Sequence, residues 1–437
     1  MTKSESKQTL LAKKPGSIAG VVSIPGDKSI SHRAIILSMI AEGRTRIHNI
    51  LDSSDINKSL NAAIKLGIEC KKKDGFMEIR GKGLHGLKDP GQELFFGNSG
   101  TSMRLFMGVL SAQKFSSILS GDSSLNSRPM ERVAIPLRKM GARIEMENDH
   151  APLQIYPSDQ IIGIKQRLNV PSAQVKSAIL LAALYANSKT VLTTSFVTRN
   201  HTELMLETFG CPIRHNEQDI ILEQGELKGI NALTIPGDFS SASFLILASL
   251  IAKDSQIIIK NVGLNSFRTG ILDVLIEMGG DIKILNKSLN GTEPTGDIHV
   301  KYSKLKPIKL SGDMIIRLID ELPILFIACT SCSGVSEFFN IEELRYKESD
   351  RIKSMEEGLK NLGIQIKSTQ SSFKITGGKL NGGIVDSYND HRIAMSFVIA
   401  GLVSEKPITI MNTLNINTSF PLFYSTLRES GVQIFQS

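Results

Sequence analysis

Two cations lie at the start of the first strongly apolar segment of the chain. Lys28 and Arg33 belong to PGDKSISHRAIILSMIAEG, in which Asp27 and Ser29 can cap a helix that is apolar on nearly all sides. A helix N-terminus offers free backbone N–H groups and the positive end of the helix dipole, so the pattern predicts a site for a phosphate or a carboxylate. For one such turn alone, solvated charges on a first helical turn are the simpler interpretation.

Polar residues of similar kinds precede five further apolar segments. The turn FGNSGTSMR offers backbone N–H groups around Gly100, a weak signal by itself, and Arg128 lies before Pro129, which can open a helix. The other polar residues at such positions are Ser172, Gln174, Arg199, Asp320, Glu321, Lys347, Glu348, Arg351, Asp390, His391 and Arg392. Together these residue types favour phosphate and carboxylate chemistry.

The run EELRYKESDRIKSM has two interpretations. Its spacing predicts that Lys347 and Arg351 share one face of a helix, with Glu348 beside them. The alternative is an exposed helix with intrahelical ion pairs, which is the better interpretation of an isolated segment. The triplet ending at Arg392 directly precedes a buried helix and is harder to explain in that way.

The elements that position these residues form a repeat of roughly 65 to 85 residues that occurs six times. Each repeat has two helices. The first is apolar on most sides, a pattern that predicts burial in a core, and the second is amphipathic and ends at a glycine. The predicted core helices are Ser31–Ala41, Thr101–Ala112, Ala173–Ala186, Ser240–Ala252, Glu321–Cys329 and His391–Leu402. The predicted left-handed C-caps are Gly67, Gly141, Gly210, Gly279, Gly363 and Gly431.

β-Branched runs directly follow several core helices, which predicts six β-α-β-α-β units and an α/β fold in two lobes of three. These predicted strands are Arg44–Ile50, Val191–Ser195, Gln256–Val262 and Pro407–Met411. Two Pro-Gly-Asp turns, at 25–27 and 236–238, mark the lobe junctions, and Asn286–Asp297 is predicted to be a surface loop. A solenoid scaffold for protein binding is the alternative, but its repeats are usually shorter and need less burial of each helix.

If the two lobes face each other, the polar heads of the core helices can line one cleft. Cations such as Lys28, Arg128, Lys347, Arg351 and Arg392 would repel one another in an empty cleft. An anionic ligand would supply the contact that favours closure of the lobes.

Composition favours small anionic ligands over nucleic acid. The formal net charge is +8, acids and bases are interspersed, aromatic residues are few and tryptophan is absent. The cysteines at 70, 211, 329 and 332 resemble neither a disulfide framework nor a zinc site. The first residues lack a leader pattern, and no run is long and apolar enough to span a bilayer, so a cytoplasmic location is expected.

Eight motifs together resemble the 5-enolpyruvylshikimate-3-phosphate synthase family. They are PGDKSISHRA, FGNSGTSMRL, GDSSLNSRPM, VPSAQVKSAILLA, TRNHTE, IDELPIL, EELRYKESDRI and NDHRIAMSF, and the match runs from about Gly16 to the C-terminus. KSISHR, SAQVKSA and TSFP are similar to the bacterial class II form. The resemblance implies two inside-out α/β domains, each of three β-α-β-α-β-β repeats. It also assigns the segment before Lys28 to the second lobe, so the predicted lobes are 27–237, and 1–26 with 238–437.

The resemblance implies transfer of the carboxyvinyl group of phosphoenolpyruvate to the 5-hydroxyl of shikimate 3-phosphate, with release of phosphate. It implies no metal or organic cofactor, and small-molecule substrates rather than nucleic acid or membrane; a monomer is expected. The residues expected at shikimate 3-phosphate are Lys28, Ser29, Arg33, Ser172, Ala173, Gln174, Arg199, Asp320 and Lys347. Those expected at phosphoenolpyruvate are Lys28, Gly100, Arg128, Gln174, Arg351 and Arg392.

The catalytic residues implied by the resemblance are Asp320, Glu348 and Lys28. Asp320 is expected to handle the hydroxyl proton, and either Glu348 or Lys28 delivers the proton to the methylene carbon. Ala173 stands where the family often has a second serine, so only its backbone can contribute. The class I form usually has a lysine where this chain has Thr418, so no ligand is assigned there.

Two other functions compete with this interpretation. The sister enolpyruvyl transferase that acts on a UDP-amino sugar typically has a reactive cysteine in a loop that corresponds to GDSSLNSRPM, which has none here. A phosphate-binding or RNA-binding repeat protein could use the same cations, and it would bind polyanions with strong salt dependence. The family resemblance further predicts that glyphosate competes for the phosphoenolpyruvate site.

Overall fold

A computed structural model describes residues 10–12, 17–169, 171–196, 198–216, 218–432 and 434–436. The expectation for the first residues, which concerned a leader pattern, falls mostly outside these ranges. The strands, in chain order, are β1 (Leu10–Ala12), β2 (Ala19–Ser23), β3 (Glu42–His48), β4 (Glu69–Lys73), β5 (Phe76–Lys82), β6 (Leu94–Phe95), β7 (Ser117–Ser120), β8 (Arg143–Glu147), β9 (His150–Tyr156), β10 (Lys165–Leu168), β11 (Thr190–Thr194), β12 (Ile213–Asn216), β13 (Asp219–Leu222), β14 (Leu233–Thr234), β15 (Gln256–Gly263), β16 (Asp281–Asn290), β17 (Glu293–Lys301), β18 (Lys309–Leu310), β19 (Val335–Phe339), β20 (Gln365–Ser368), β21 (Ser372–Thr376), β22 (Gly383–Asp386), β23 (Ile408–Met411) and β24 (Ile434–Gln436).

Helices alternate with these strands along the chain. The α-helices are α1 (Lys28–Ile40), α2 (Ser54–Lys65), α3 (Gly100–Leu110), α4 (Ser123–Asn126), α5 (Glu131–Lys139), α6 (Ala173–Ala183), α7 (His201–Thr208), α8 (Phe239–Ile251), α9 (Gly270–Glu277), α10 (Asp313–Leu318), α11 (Leu322–Thr330), α12 (Arg351–Asn361), α13 (His391–Ala400) and α14 (Phe423–Glu429). Two 3₁₀ helices span Glu342–Tyr346 and Leu414–Thr418.

In the described part of the chain the strands form six four-stranded sheets with one shared pattern. The spatial orders are β14-β3-β5-β4, β6-β7-β9-β8, β10-β11-β13-β12, β2-β15-β17-β16, β18-β19-β21-β20 and β22-β23-β1-β24. In each sheet the first pair in this order is parallel and the second pair is antiparallel. The mixed α/β fold in repeated units predicted from the sequence is therefore confirmed.

The chain divides into two compact units. The N-terminal unit comprises Gly26–Ile235 with Leu289–Glu293, and the C-terminal unit takes the described residues of Met1–Pro25, Pro236–Ser288 and Pro294–Ser437. The chain passes between the two units after Pro25 and after Ile235. The boundaries predicted from the sequence, after residues 26 and 237, lie within two residues of these positions. The segment Leu289–Glu293, which was predicted in the C-terminal lobe, groups with the N-terminal unit instead.

One short strand next to each crossing completes a sheet. In the N-terminal unit, β14 lies parallel to β3, with Leu233 opposite Ile47. In the C-terminal unit, β2 lies parallel to β15, with Val22 opposite Ile259. The sequence assigned the segment before Lys28 to the second lobe, and β2 of that segment lies in a sheet of the C-terminal unit. The strand β1 also joins the C-terminal unit, where it lies between β23 and β24.

Each unit has its own hydrophobic core, built around three apolar helices. In the C-terminal unit, α8, α11 and α13 pack on one another, and every residue of α8 is buried. In the N-terminal unit, α3 packs against both α1 and α6. Burying one Leu or Ile side chain contributes about 1.5–3 kcal/mol, so helices that are apolar on all sides gain most in the centre of a unit. This burial positions the polar N-terminal ends of the same helices.

The glycines at the ends of the amphipathic helices adopt the left-handed conformation that was predicted. Gly67 has φ of 85° and Gly141 has φ of 100°, and the other four predicted positions are also positive. A left-handed residue disfavours any side chain with a Cβ, which explains why glycine follows each helix. These caps turn the chain from each amphipathic helix into the next strand.

The prediction of a surface loop at Asn286–Asp297 is wrong. β16 and β17 form a long hairpin there, with a two-residue connection after Asn290 in which Gly291 has φ of 62°. Glycine at the first position of a two-residue turn is a hairpin signal, and the polar composition of the segment obscured it. Exposed strand residues explain that composition, because most of β16 is exposed.

The four cysteines are free thiols. Cys329 and Cys332 are buried near the end of α11, and burial raises the pKa of Cys332 to about 11. Burial likewise raises the pKa of Cys211 to about 11. These neutral thiols act as small core residues.

Candidate active site

The start of α1 places Lys28 against a carboxylate. Asp27 caps the helix by accepting a hydrogen bond from the backbone N of Ile30 at 2.8 Å. Nζ of Lys28 forms an ion pair with Asp55, in the first turn of α2, and the side chain of Asp55 is only 6% exposed while that of Lys28 is 19% exposed. Lys28 is therefore a fixed, partly accessible cation at a helix N-terminus.

Arg33 is buried, and its guanidinium donates hydrogen bonds to three other residues of the protein. Its Nε donates to Oγ1 of Thr202 at 2.7 Å, and its Nη2 donates to Oγ of Ser177 at 2.8 Å. Its Nη1 donates to the backbone O of Ser29 at 2.9 Å. The guanidinium thus joins α1 to α6 and α7, and it fixes the backbone of the residue next to Lys28.

The glycine-rich turn forms the N-terminus of α3, next to two arginines. Gly100 is the first helical residue, and a Cβ at this position would lie 3.4 Å from Nη1 of Arg104 and 3.4 Å from Nη1 of Arg128. Arg128 is 7% exposed and donates to Oγ of Ser124 at 3.2 Å, and it also donates to the side chain of Asn98. This arrangement concentrates positive charge beside the N-terminus of the helix.

The start of α6 is connected to the same turn by Gln174. Its Nε2 donates to Oγ1 of Thr101 at 2.9 Å, and its Oε1 accepts from Nη1 of Arg104 at 2.5 Å. Ser172 caps α6 by accepting from the backbone N of Val175 at 3.3 Å. Ala173 is the first residue of that helix, and Arg199 is half-buried just before α7. The polar ends of α3 and α6 are therefore joined within the N-terminal unit.

In the C-terminal unit, Arg351 is at the centre of a cluster of carboxylates. It is 1% exposed, its Nε donates to Oδ2 of Asp390 at 2.8 Å, and its Nη2 donates to Oε2 of Glu348 at 2.6 Å. Oδ1 of Asp320 lies 3.3 Å from Nζ of Lys347 and 3.7 Å from Nη1 of Arg351. The cluster combines carboxylates that can transfer protons with cations that can hold an anion.

Opposing effects determine the ionisation of this cluster. Burial is the largest single effect on Asp390 and would raise its pKa, but the charge and hydrogen bond of the Arg351 guanidinium, together with His391, leave the pKa below its usual value. Burial would lower the pKa of Arg351, whereas Asp390, Glu348 and Asp320 together raise it. Arg351 therefore stays charged although it is buried.

Arg392 is held by residues at the starts of two core helices. Its Nη1 donates to the backbone O of Asp320 at 2.9 Å, its Nη2 donates to Oγ of Ser240 at 3.1 Å, and its Nη1 lies 3.4 Å from Oε1 of Glu321. Arg268 donates to the same Ser240 hydroxyl at 2.7 Å. These contacts fix the guanidinium beside Asp320.

Among the residues that the structure describes, no group of three or more His, Cys, Asp or Glu side chains is arranged to hold a metal ion. None of the helices within the described ranges is both long and apolar enough to cross a membrane.

The family model described as EPSP synthase (3-phosphoshikimate 1-carboxyvinyltransferase) matches residues 12–427. The chain belongs to this family. A 3-phosphoshikimate 1-carboxyvinyltransferase of Legionella pneumophila (strain Lens) is 44% identical over 426 residues, which are 97% of this chain and 98% of that protein. One from Petrotoga mobilis is 47% identical over 414 residues, which are 93% of this chain and 96% of that protein. A solved structure of EPSP synthase from Acinetobacter baumannii has 42% identity and a TM-score of 0.88, with 98% of this chain and 100% of that chain covered.

Two local predictions for this EPSP synthase family member are wrong. Lys347 and Arg351 do not share a helix, because the 3₁₀ helix ends at Tyr346 and Asp350 caps α12 by accepting from the backbone N of Lys353 at 3.1 Å. Both cations nevertheless approach Asp320. Pro129 does not open a helix, because α5 begins only at Glu131.

Sequence reasoning missed several polar residues that support the candidate site. Asp55, Arg104 and Arg268 were not identified, and Glu321 and Asp390 were noted without a role. A signal exists for Arg104, since it is a charged residue within an otherwise apolar helix that is buried almost throughout. No comparable signal marks Asp55 or Arg268, because only the fold brings them to their partners.

Proposed function

We propose that the side chains described above carry out the reaction of the EPSP synthase family. The chain transfers the carboxyvinyl group of phosphoenolpyruvate to the 5-hydroxyl of shikimate 3-phosphate, giving 5-enolpyruvylshikimate 3-phosphate and phosphate. This is a step of the shikimate pathway to chorismate and the aromatic amino acids. The observation that carries the proposal is the family match over residues 12–427, together with the grouping of cations at helix N-termini.

We assign shikimate 3-phosphate to the heads of α1 and α6 and to the residue before α7. Lys28, Ser29, Ser172 and Arg199 would contact the substrate directly. Of these, Ser172 and Arg199 would hold its phosphate. The assigned set also contains Arg33, Ala173, Gln174, Asp320 and Lys347. The hydrogen bonds of Arg33 to Ser177, Thr202 and the carbonyl of Ser29 support a role in shaping this site.

We assign phosphoenolpyruvate to Gly100, Arg128, Arg351 and Arg392, with Lys28 and Gln174 contributing. Two features support this assignment. Gly100 leaves room for a close backbone approach between two arginine side chains. Arg351 and Arg392 are each held in place by hydrogen bonds, so little side-chain entropy remains to be lost on binding an anion.

The proposed chemistry is an addition followed by an elimination. The 5-oxygen bonds to C2 of phosphoenolpyruvate as its proton leaves, and the methylene carbon C3 gains a proton, which gives a tetrahedral intermediate. Breaking the bond from C2 to the phosphate oxygen and removing a proton from the methyl group then give the enol ether and phosphate. Asp320 is assigned the hydroxyl proton, and Glu348 or Lys28 the carbon proton. Asp320 and Glu348 both lie near Arg351.

The finer properties of the enzyme are also proposals. We propose that it is of the class II type, on the motifs KSISHR, SAQVKSA and TSFP, that it works in the cytoplasm, and that it is monomeric and inhibited by glyphosate. Light scattering of the purified protein tests the oligomeric state.

The function is tested by phosphate release from phosphoenolpyruvate. We expect release only when shikimate 3-phosphate is present, with equimolar formation of 5-enolpyruvylshikimate 3-phosphate. Parallel reactions with a UDP-amino sugar in place of shikimate 3-phosphate, and without any acceptor, are the controls. Release with the UDP-amino sugar, or release that needs no acceptor, would refute the proposal.

A further inference from the structure

Four buried residues near the start of α3 are joined in a closed ring of hydrogen bonds, in which three links connect side chains and one uses the backbone N of Ser102. Nδ1 of His32 lies 2.8 Å from Oγ of Ser59, which in turn lies 2.5 Å from Oγ of Ser102. The backbone N of Ser102 donates to Oγ of Ser99 at 3.3 Å. Oγ of Ser99 lies 3.2 Å from Nε2 of His32, and this contact closes the ring.

The ring joins three helices in a place that excludes water. His32 comes from α1, Ser59 from α2, and Ser99 and Ser102 from the first turn of α3, where Ser99 is the N-cap. The exposed fraction is 0% for His32, Ser59 and Ser102 and 2% for Ser99. Buried polar groups of this kind are stable only when they bond to one another, so removing one member leaves its neighbours unsatisfied.

The chemical state of His32 suits this bridging role. Burial lowers its pKa well below the usual value, and the positive charges of Lys28 and Arg33 lower it further. A neutral imidazole has one donor and one acceptor nitrogen, so it can link two hydroxyl groups in either tautomer.

We propose that His32 is a positioning residue for the phosphoenolpyruvate site. Through Nε2 it fixes the hydroxyl of Ser99, and Ser99 in turn sets the direction of the first turn of α3, which begins at Gly100. The imidazole is buried and does not touch substrate in this proposal. The inference rests on the proposed function, because that function assigns phosphoenolpyruvate to Gly100.

Two substitutions test the contacts of the two imidazole nitrogens one at a time. In His32→Gln the amide reaches about as far as Nε2 and can still bond Ser99, whereas in His32→Asn it reaches only about as far as Nδ1 and bonds Ser59. We expect His32→Asn to raise the KM for phosphoenolpyruvate and the inhibition constant of glyphosate about tenfold each, as one lost buried hydrogen bond would do. The KM for shikimate 3-phosphate should change less than twofold, and His32→Gln should stay close to the native values.

A matched control comes from the same helix. Ser38 of α1 is buried, and its hydroxyl has no hydrogen-bond partner within the described part of the structure. Ser38→Ala therefore perturbs the interior of α1 without touching the ring, and we expect both KM values to be unchanged. Should His32→Asn fail to fold, Ser59→Ala is the milder variant, because it keeps the contact of His32 with Ser99 and removes the hydroxyl that bonds both Nδ1 of His32 and Oγ of Ser102. We expect it to raise the KM for phosphoenolpyruvate about threefold.

A double-mutant cycle tests whether His32 acts through Ser99. If it does, His32→Asn with Ser99→Ala should raise the KM for phosphoenolpyruvate no more than Ser99→Ala alone. Multiplicative effects of the two substitutions, equal losses for both substrates, or an equal effect of His32→Gln and His32→Asn would overturn the inference. These outcomes are distinct from failure of the proposed function, which would appear as a native protein that releases no phosphate with shikimate 3-phosphate.

Discussion

Burial and charge act in opposite directions on Arg351 and Asp390. The pair is almost fully buried, and desolvation of an unpaired charge there would cost several kcal/mol. Because the pKa of Asp390 in the fold lies below its usual value, its carboxylate contributes stability at pH values above the unfolded pKa. That contribution is lost as the pH falls through the lowered pKa. At neutral pH the pair is therefore intact, and Arg351 remains a fixed cation.

Lys28 can be tested by a substitution that keeps its length. We expect Lys28→Met to lower kcat/KM by a thousandfold or more, because a charged contact to the reacting groups is worth on the order of several kcal/mol in the transition state. Steady-state kinetics and circular dichroism measure the two consequences, loss of rate and retention of fold.

Lys72→Met is the matched control for this experiment. Lys72 also pairs with an aspartate, at 2.8 Å from Asp52, but its side chain is 74% exposed and lies outside the candidate site. We expect native activity from Lys72→Met. An active Lys28→Met variant would remove Lys28 from the catalytic set.

Gly100→Ala should discriminate between phosphoenolpyruvate and glyphosate. A methyl group there would lie 3.4 Å from Nη1 of Arg104, 3.4 Å from Nη1 of Arg128 and 3.5 Å from Cδ1 of Leu125, which are van der Waals contacts with side chains and not with backbone. The fold should therefore tolerate alanine, while the methyl group enters the space next to the ligand. Glyphosate is the longer molecule, so we expect its inhibition constant to rise more than the KM for phosphoenolpyruvate.

Inhibition assays on both proteins test this expectation, with Gly378→Ala as control. A Cβ at Gly378 would meet only Cδ1 of Ile364 at 3.8 Å, so that variant should keep both native constants. Equal losses for the two ligands in Gly100→Ala, or a native enzyme that tolerates glyphosate, would show that Gly100 does not border the site.

At the scale of elements, α3 and α6 pack closely together. Their close packing brings the polar residues at the start of one helix within hydrogen-bond distance of those at the start of the other. A Cβ at Gly108 of α3 would lie 3.0 Å from Cα of Ala178 and 2.3 Å from its backbone O, and real Cβ atoms essentially never adopt the second distance. Since the obstacle is backbone, the helices would have to separate. The hydrogen bonds of Gln174 to Thr101 and Arg104 depend on the present spacing.

We therefore expect Gly108→Ala to destabilise the N-terminal unit by about 2–3 kcal/mol, the usual cost of an overpacked core. Urea unfolding followed by circular dichroism measures the change. The same glycine-to-alanine change at Gly378, where space is open, should leave the midpoint unaltered. A stable Gly108→Ala protein would mean that the two helices can move apart without loss.

The sequence predicted the elements better than it predicted the contacts between them. Helices such as α8 could be identified because they are apolar on every side, and their burial confirms that pattern. The arrangement of Lys347 and Arg351 was predicted wrongly, because the charge spacing indicates one helix, whereas Asp350 is the N-cap at which α12 begins. The partner of Lys28 was equally hidden, since Asp55 lies 27 residues away on another helix.

At the scale of the whole molecule, the path of the chain makes each unit depend on a distant segment. The C-terminal unit takes β2 from the other end of the sequence, and Ile18, Val22 and Ile24 around this strand belong to its core. The N-terminal unit has a separate core cluster that contains none of these residues. Damage at β2 should therefore affect one core and spare the other.

Two adjacent valines of β2 provide the test of this last prediction. Val22 is 9% exposed and Val21 is 65% exposed, because successive strand residues face opposite sides of the sheet. We expect Val22→Asp to destabilise the C-terminal unit by about 3–5 kcal/mol, since a carboxylate would enter an apolar core, whereas Val21→Asp should change its stability by less than about 0.5 kcal/mol.

Hydrogen exchange can locate the damage, because each unit contains three buried core helices. In Val22→Asp we expect amide protection to fall in α8, α11 and α13 and to persist in α1, α3 and α6. Activity should fall with it, because Arg351 and Arg392 belong to the damaged unit. Equal loss of protection in both sets of helices would show that the two cores unfold as one cooperative body, and unchanged protection in α8 would show that β2 contributes little to the core it joins.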